Sequence, residues 1–419
     1  DAPTLTTPTD ITYEDTANDD TFIDTPSGTL IRSDDDANDT KVFNITGQSA
    51  DTSENGFTHS KVGTYGTLYL NAISGAYKYI PNDAAIEALT ADTSETFDFT
   101  VTDSKEASDT KTLTINITAT NDTPTITVET NNSDADSLYE TNSTLTTSGT
   151  LSVTDLDLTN VVSSVVVSSM TIDGSSSTDA TALSWLTLNT DSILSNTETT
   201  DTLTWTFDSG IEYFNSLSQG DTKTLVYTIR VNDGTVDADK TVTITILGTN
   251  DAPTITVVTG DSVSATLTET NATLTATDTI TINEIEPNDT ITATVESVSV
   301  NSTSSVSNLA LPTNAILKAM LSLDKTSLLT NTTNTSEVLT WTFDSTSEHF
   351  DKIASGETLI LDYVVKISDN ANPSKVDTKV IKITINGAND APVIDTYTST
   401  DANINAQIES GKPLKLADT

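Results

Sequence analysis

The chain has 419 residues, which at about 150 residues per domain points to roughly three domains rather than one body. Its 61 Asp+Glu against 18 Lys+Arg leave a formal net charge of -43. That balance excludes nucleic acid and anionic membrane surfaces as partners and makes cations, above all calcium, the expected small ligands. Cysteine is absent, which excludes disulfides, thiolate metal sites and cysteine nucleophiles, and a histidine zinc site would need both His59 and His349, far apart in sequence.

No apolar run approaches the roughly 18 residues of a membrane span, and no signal peptide is read in Asp1-Ala-Pro-Thr-Leu5. With 35% hydrophobic and 5% aromatic residues the composition alone lies near the disordered class, but period-two alternation overrides it.

In chain order, a first short strand ends near Glu14, Gly28-Thr-Leu30 leads to the acids Asp34 and Asp36, and Gly66-Thr-Leu-Tyr-Leu-Asn71 is followed by Gly75-Ala-Tyr-Lys-Tyr79. The strand Phe97-Asp-Phe-Thr-Val101 runs into an acidic turn at Asp103, and Lys111-Thr-Leu-Thr-Ile-Asn-Ile-Thr118 alternates strictly before Asn121-Asp-Thr-Pro124. The same order returns with Glu140, Gly149-Thr-Leu151, Asp155 and Asp157, Trp205-Thr-Phe-Asp-Ser209, Leu225 to Ile229, Asp233, Lys240 to Ile246 and Asn250-Asp-Ala-Pro253. It returns again with Glu269, Asp278-Thr-Ile280, Trp341-Thr-Phe-Asp-Ser345, Leu361 to Val365, Asp369, Ile381 to Ile385 and Asn389-Asp-Ala-Pro392.

Taking Asp1, Asp122, Asp251 and Asp390 as markers, the units are 121, 129 and 139 residues long. Units of this size, made of short strands separated by Asn/Asp/Gly/Ser turns, read as all-β tandem Ig-like sandwiches with almost no helix. The expected division is 1–121, 122–250 and 251–389. The start of a fourth repeat is expected at 390–419, where Glu409 follows Asp390 by 19 residues, against the 18 from Asp122 to Glu140. The chain therefore reads as a segment of a longer array.

The recurring Gly-Thr-Leu, acidic turn, aromatic strand, alternating Thr/Val/Ile strand and Asn-Asp-Ala-Pro resemble the cadherin-like, VCBS-type repeats of bacterial RTX adhesins. The resemblance spans nearly the whole chain as repeat architecture, and it implies an extracellular protein of the bacterial cell surface, active in adhesion and biofilms. In such a protein these repeats are extenders that hold a ligand-binding tip away from the cell. The third unit departs from the pattern by lacking Gly-Thr-Leu and a compact Asp-x-Asp motif, and no glycine-aspartate nonapeptide run or EF-hand spacing occurs.

Calcium needs six to eight oxygens, so ligands must converge from several loops. If the first strand of each sandwich descends from the preceding linker, Glu14, Glu140 and Glu269 lie at the lower poles. The acidic pairs and the turns Asp103, Asp233 and Asp369 then lie at the upper poles. The first junction is expected to gather Glu14, Asn121, Asp122, Asp155, Asp157 and Asp233. The second gathers Glu140, Asn250, Asp251, Asp278 with Asp289 as a further candidate, and Asp369. A third retains Glu269, Asn389 and Asp390, while Asp34, Asp36 and Asp103 form the first upper pole. A lone Asp in a turn is turn chemistry; the recurring set at one pole favours calcium, and Asp19, Asp20 and Asp83 read as solvated surface.

Catalysis is not expected. His349 in Glu-His-Phe350 takes the place of Tyr213 in Glu-Tyr-Phe214, and no deep-pocket domain interrupts the repeats. A subunit of a calcium-dependent surface layer or sheath, or a glycan- or protein-binding module using polar loops near Asp173 and Asn301, remain the alternative readings. Lys111, Lys240 and Lys379, each ten residues before a marker Asn, are expected to reach solvent or pair with acids, an intramolecular Lys–Asn crosslink being the alternative.

Overall fold

The computed structural model describes residues 1–389 apart from 37–39, 159–161, 163, 192, 307–309 and 331–333. Asp390 and Glu409 lie outside the described residues. The chain forms two compact units, Asp1–Thr249 and a second beginning at Asn250.

Strand formation follows from alternation. In Thr93–Thr102 the residues Phe97, Phe99 and Val101 are buried, and in its antiparallel partner Ser108–Thr118 so are Leu113, Ile115 and Ile117, with Thr and Asp facing out between them. These strands lie in a four-stranded sheet in the order Ile11–Glu14, Ser108–Thr118, Thr93–Thr102, Val42–Ile45. A five-stranded sheet runs Ser27–Thr29, Ala76–Pro81, Gly66–Leu70, His59–Val62, Ser49–Ala50. Between them lies a core that includes Phe43, Leu68, Tyr79 and Phe99.

The same unit holds a second core, built around Trp205, Phe207 and Tyr227. One of its sheets runs Thr125–Thr127, Thr146–Thr154, Thr200–Asp208, Leu186–Leu188. The other runs Ala135–Tyr139, Asp237–Leu247, Thr222–Asn232, Ser164–Ile172, Ser175–Ser177.

The unit from Asn250 repeats this plan around Trp341, Phe343 and Tyr363. Even the bulge between Val167 and Ser169 recurs, between Val295 and Ser297. Trp205 and Trp341 are fully buried, and each indole N–H donates to a carbonyl, Ser133 O and Ser262 O, at 2.8 Å.

In all three sandwiches the second strand, after a short first one, pairs parallel with the last: Ile11–Glu14 with Ser108–Thr118, Ala135–Tyr139 with Asp237–Leu247, and Ser264–Thr268 with Val376–Asn386. This pairing sets the end of the second strand beside the end of the last. Helix among the described residues is confined to Asp83–Glu87, Ala180–Leu183 and Asn314–Ala319. None is long and apolar enough to cross a membrane.

Candidate metal centre

The strand that pairs with the last one delivers an acid to the lower pole of each sandwich, and its register says which one. Asp15 N donates to Thr118 O, Glu140 N to Leu247 O and Glu269 N to Asn386 O, each at 2.9 Å. The three acids are thus equivalent, and each is buried. Each accepts the amide just before a marker Asn: Asp15 from Thr120 at 3.1 Å, Glu140 from Thr249 at 2.9 Å and Glu269 from Ala388 at 2.6 Å. Glu14, the residue the sequence singled out, is exposed on the other face of the strand, and Asp15 takes the place assigned to it. Asn389 is exposed beside Ala388.

The upper poles are equally regular. The amide two residues on closes a turn onto the first acid of each pair: Asp36 N to Asp34 Oδ1 at 2.9 Å, Asp157 N to Asp155 Oδ1 at 3.1 Å, and Glu286 N to Glu284 Oε1 at 3.2 Å. The second acid accepts from the nitrogen of the marker Asp: the Asp122 amide donates to Asp157 Oδ2 at 2.6 Å and the Asp251 amide to Glu286 Oε2 at 2.8 Å, while at Asp36 the donor is the N-terminal ammonium of Asp1. The pair of the third sandwich is therefore Glu284-Ile-Glu286, six to eight residues beyond Asp278. Asp278 lies within the strand Thr275–Asn283 opposite Trp341, the register position that Gly149 holds opposite Trp205.

In the unit Asp1–Thr249 the two poles meet. Carboxylate oxygens of Asp15, Glu87 and Asp122 lie within 4.8 Å of one another, and all three residues are buried. Asp122 is tied to Asp157, and Asn121 Nδ2 donates to Asp233 Oδ2 at 2.9 Å. Asp233 Oδ1 also accepts the amides of Thr235 and Val236. A crevice of about 480 Å³, lined in part by Asn18, Asp19, Asp122, Thr125 and Asp155, borders the cluster. Glu87 ends the helix Asp83–Glu87, held there by buried Ile86. No motif announced it.

The electrostatics are those of uncompensated anions. Asp15 Oδ1, both oxygens of Asp122, Asp155 Oδ2 and Asp157 Oδ1 are buried without a donor. Burial pushes Asp122 up to about 8, with the Asp157, Asp15, Glu87 and Asp155 carboxylates adding to it. Burial also raises Asp157 to about 7 against the opposing pull of the Asp122 amide, and Glu87 to about 7 against that of the Asp20 amide. Asp15 and Asp155 are raised by the same cause.

The unit from Asn250 carries its own set. Oxygens of Glu284, Asp289 and Asp369 lie within 4.8 Å of one another. Asn250 Nδ2 donates to Asp369 Oδ2 at 3.1 Å, the counterpart of Asn121 and Asp233. Glu284 Oε2, Glu286 Oε1, Asp289 Oδ2 and Asn250 Oδ1 are buried without a donor. Burial pushes Glu286 up to about 8 and Glu284 up to about 7, and raises Asp289.

Of the residues expected at the first upper pole, Asp34 and Asp36 form the turn described above, and Asp103 Oδ1 accepts the amides of Lys105 and Ala107. Buried carboxylates with bare oxygens fit a hard divalent cation, which demands oxygen ligands and supplies the missing positive charge. Asp15, Glu87, Asp122, Asp155, Asp157 and Asp233 would hold calcium in the first unit. Glu284, Glu286, Asp289 and Asp369, with the Asn250 carbonyl, would hold it in the second.

No known family model and no curated protein matches the sequence. Among solved structures, the chain is similar to extracellular cadherin domains 1 to 5 of protocadherin gamma B2, at 12% identity and TM-score 0.32 over 93% of this chain and 61% of that one. The chain thus spans less than two thirds of that structure. It is also similar to domains 22 to 24 of mouse cadherin-23, at 13% identity and TM-score 0.28 over 92% of this chain and 99% of that one. For domains 1 to 4 of Drosophila N-cadherin the values are 10% and 0.27, over 93% and 76%.

Proposed function

We propose that this chain is a calcium-stiffened extender of a secreted bacterial surface adhesin, which spaces a ligand-binding tip from the cell, and that it is not an enzyme. Its repeats are taken as 1–121, 122–250, 251–389 and the start of another at 390–419. The observation that carries the reading is the buried, donor-free carboxylate set formed by Asp15, Glu87, Asp122, Asp155 and Asp157 within the first unit. Without a cation these anions repel across the connection at Asn121. With one they become a shared cross-tie between the sandwich before that connection and the one after it. The cadherin likeness and the resemblance to adhesin repeats support an adhesive, extracellular setting. Extracellular calcium modules bind at about 10⁻⁴ to 10⁻³ M, a range that calcium outside a cell fills and the cytosol does not.

The test is thermal unfolding together with limited proteolysis at residues 118–125, in excess EDTA and in millimolar calcium. A higher melting temperature and protection of that connection by calcium, with magnesium much weaker, are expected. Equal behaviour in both conditions would remove the calcium joint and move the reading to a surface-layer subunit or a glycan- or protein-binding module.

A further inference from the structure

The three upper poles share the turn that closes onto the first acid, but at the first pole Asp36 pairs with the Asp1 ammonium rather than with a main-chain amide, and the poles differ also in what meets the first acid. Asp155 Oδ2 and Glu284 Oε2 are buried without a donor. Asp34 Oδ2 is likewise buried with no hydrogen bond of its own, but it forms an ion pair with the Lys41 ammonium at 3.2 Å, the Asp34 and Lys41 side chains being only 1% and 12% exposed. The Asp36 amide and Lys41 hold the Asp34 carboxyl below the ordinary aspartate range, whereas burial raises Asp155 and Glu284.

The register identifies the exchange responsible. Val42 pairs with Thr102, just before Asp103, and Thr292 pairs with Ser368, just before Asp369. Lys41 therefore corresponds to Ile291, which is fully buried in its own core. The segments leading to the two residues run alike, Asp36-Ala-Asn-Asp-Thr-Lys41 and Glu286-Pro-Asn-Asp-Thr-Ile291. A core isoleucine has been replaced by a cation on a flexible stem, turned toward the acid.

We propose that Lys41 is a tethered counter-ion: its ammonium closes the upper pole of the first sandwich in place of a divalent cation, so that this pole is ordered without calcium. A lysine carries a compact charge with three donors, enough to neutralise one carboxylate. The comparison among poles rests on the calcium reading above, while the role of Lys41 in metal-free protein does not.

The experiment is hydrogen–deuterium exchange with mass spectrometry on the full chain, wild type, Lys41→Met and Lys41→Arg, each in EDTA and in calcium. In the wild type, calcium is expected to slow exchange at Asp155–Asp157 and Glu284–Glu286 and to leave Asp34–Asp36 unchanged. In EDTA, Lys41→Met is expected to speed exchange at Asp34–Asp36 roughly threefold or more through the loss of one ion pair, while Lys41→Arg retains the wild-type rate. Calcium slowing Asp34–Asp36 in the wild type as much as the other poles would overturn the proposal. So would unchanged exchange of Lys41→Met in EDTA. If Lys41→Met also exposes the core strands Thr93–Thr102 and Ser108–Thr118, Lys41→Arg decides, since calcium-dependent exchange at its Asp34–Asp36 overturns the proposal as well. If calcium slows exchange at no pole, the calcium reading falls and Lys41 is judged by the EDTA arm alone.

Discussion

At Asp122 two roles separate on one residue. Its amide is committed to Asp157, while both of its carboxylate oxygens are buried without a donor. The main chain is satisfied and the charge is not, and on the calcium reading proposed above a cation would meet it. Asp15 divides its carboxylate the same way, one oxygen to the Thr120 amide and one bare. Asp15→Asn is therefore expected to weaken calcium binding roughly tenfold or more, in line with the dependence of affinity on ligand charge, and Glu14→Gln to leave it unchanged; isothermal titration separates them. By the same reasoning Glu284→Gln loses affinity and Asp278→Asn does not. The linker pair Asn121 and Asp122 and the acids Asp155, Asp157 and Asp233 were legible because they recur at fixed strand ends. Asp15 was hidden by a false match. Tyr13-Glu14 and Tyr139-Glu140 look alike, yet Tyr13 is buried opposite Ile117 while Tyr139 is 66% exposed opposite Leu247, one step out of phase. A one-residue slip in a strand moves every side chain to the other face. Glu284 and Glu286 were hidden by the change from Asp to Glu, and Glu87 by standing in a five-residue helix where an acid reads as surface charge.

At the scale of elements, alternation alone placed the last two strands of each sandwich, because Thr outside and Leu, Ile or Val inside leaves one workable register. Recurrence of the Trp-Thr-Phe-Asp-Ser motif marked the aromatic strands. Tyr77 stands opposite Gly28 as Trp205 stands opposite Gly149. The edge strands were not legible. Ser175–Ser177 precedes the helix Ala180–Leu183, whereas Ser327–Leu328 follows the helix Asn314–Ala319 and the strand Leu321–Leu323, and neither carries a periodic pattern. Two of the three lysines at the head of the last strands end in ion pairs, Lys111 with Asp109 at 3.1 Å and Lys240 with Asp134 at 3.0 Å. Since Trp205 is fully buried in a core of its own, Trp205→Ala should cost about 3–5 kcal/mol. Hydrogen exchange should show that loss in Thr200–Asp208 and Thr222–Asn232 but not in Thr93–Thr102, and equal loss in both would mean that the two cores unfold as one.

For the whole molecule, a charge of -43 makes the unmet carboxylates a liability that pH controls. Folding raises Asp122 and Glu286 to about 8 and Asp157, Glu87 and Glu284 to about 7, from ordinary values of 3.8 for Asp and 4.5 for Glu. The folded state then binds protons more tightly than the unfolded chain. Their favourable contribution is complete below about pH 4 and is lost as pH rises through 7 to 8. Metal-free protein should accordingly melt higher at pH 5.5 than at pH 8, and saturating calcium should flatten or reverse the trend; a melting temperature that rises with pH in EDTA would contradict the assignment. The connection at Thr120, Asn121 and Asp122 has a last consequence. Consecutive groups along it pass from the sandwich behind to the sandwich ahead: the Thr120 amide is claimed by Asp15 behind, and the Asn121 side chain and the Asp122 amide by Asp233 and Asp157 ahead. Such a connection keeps count. One inserted residue would offer each carboxylate the wrong group, so a protein of this kind can change its reach by gaining or losing whole repeats and not by editing the seams between them.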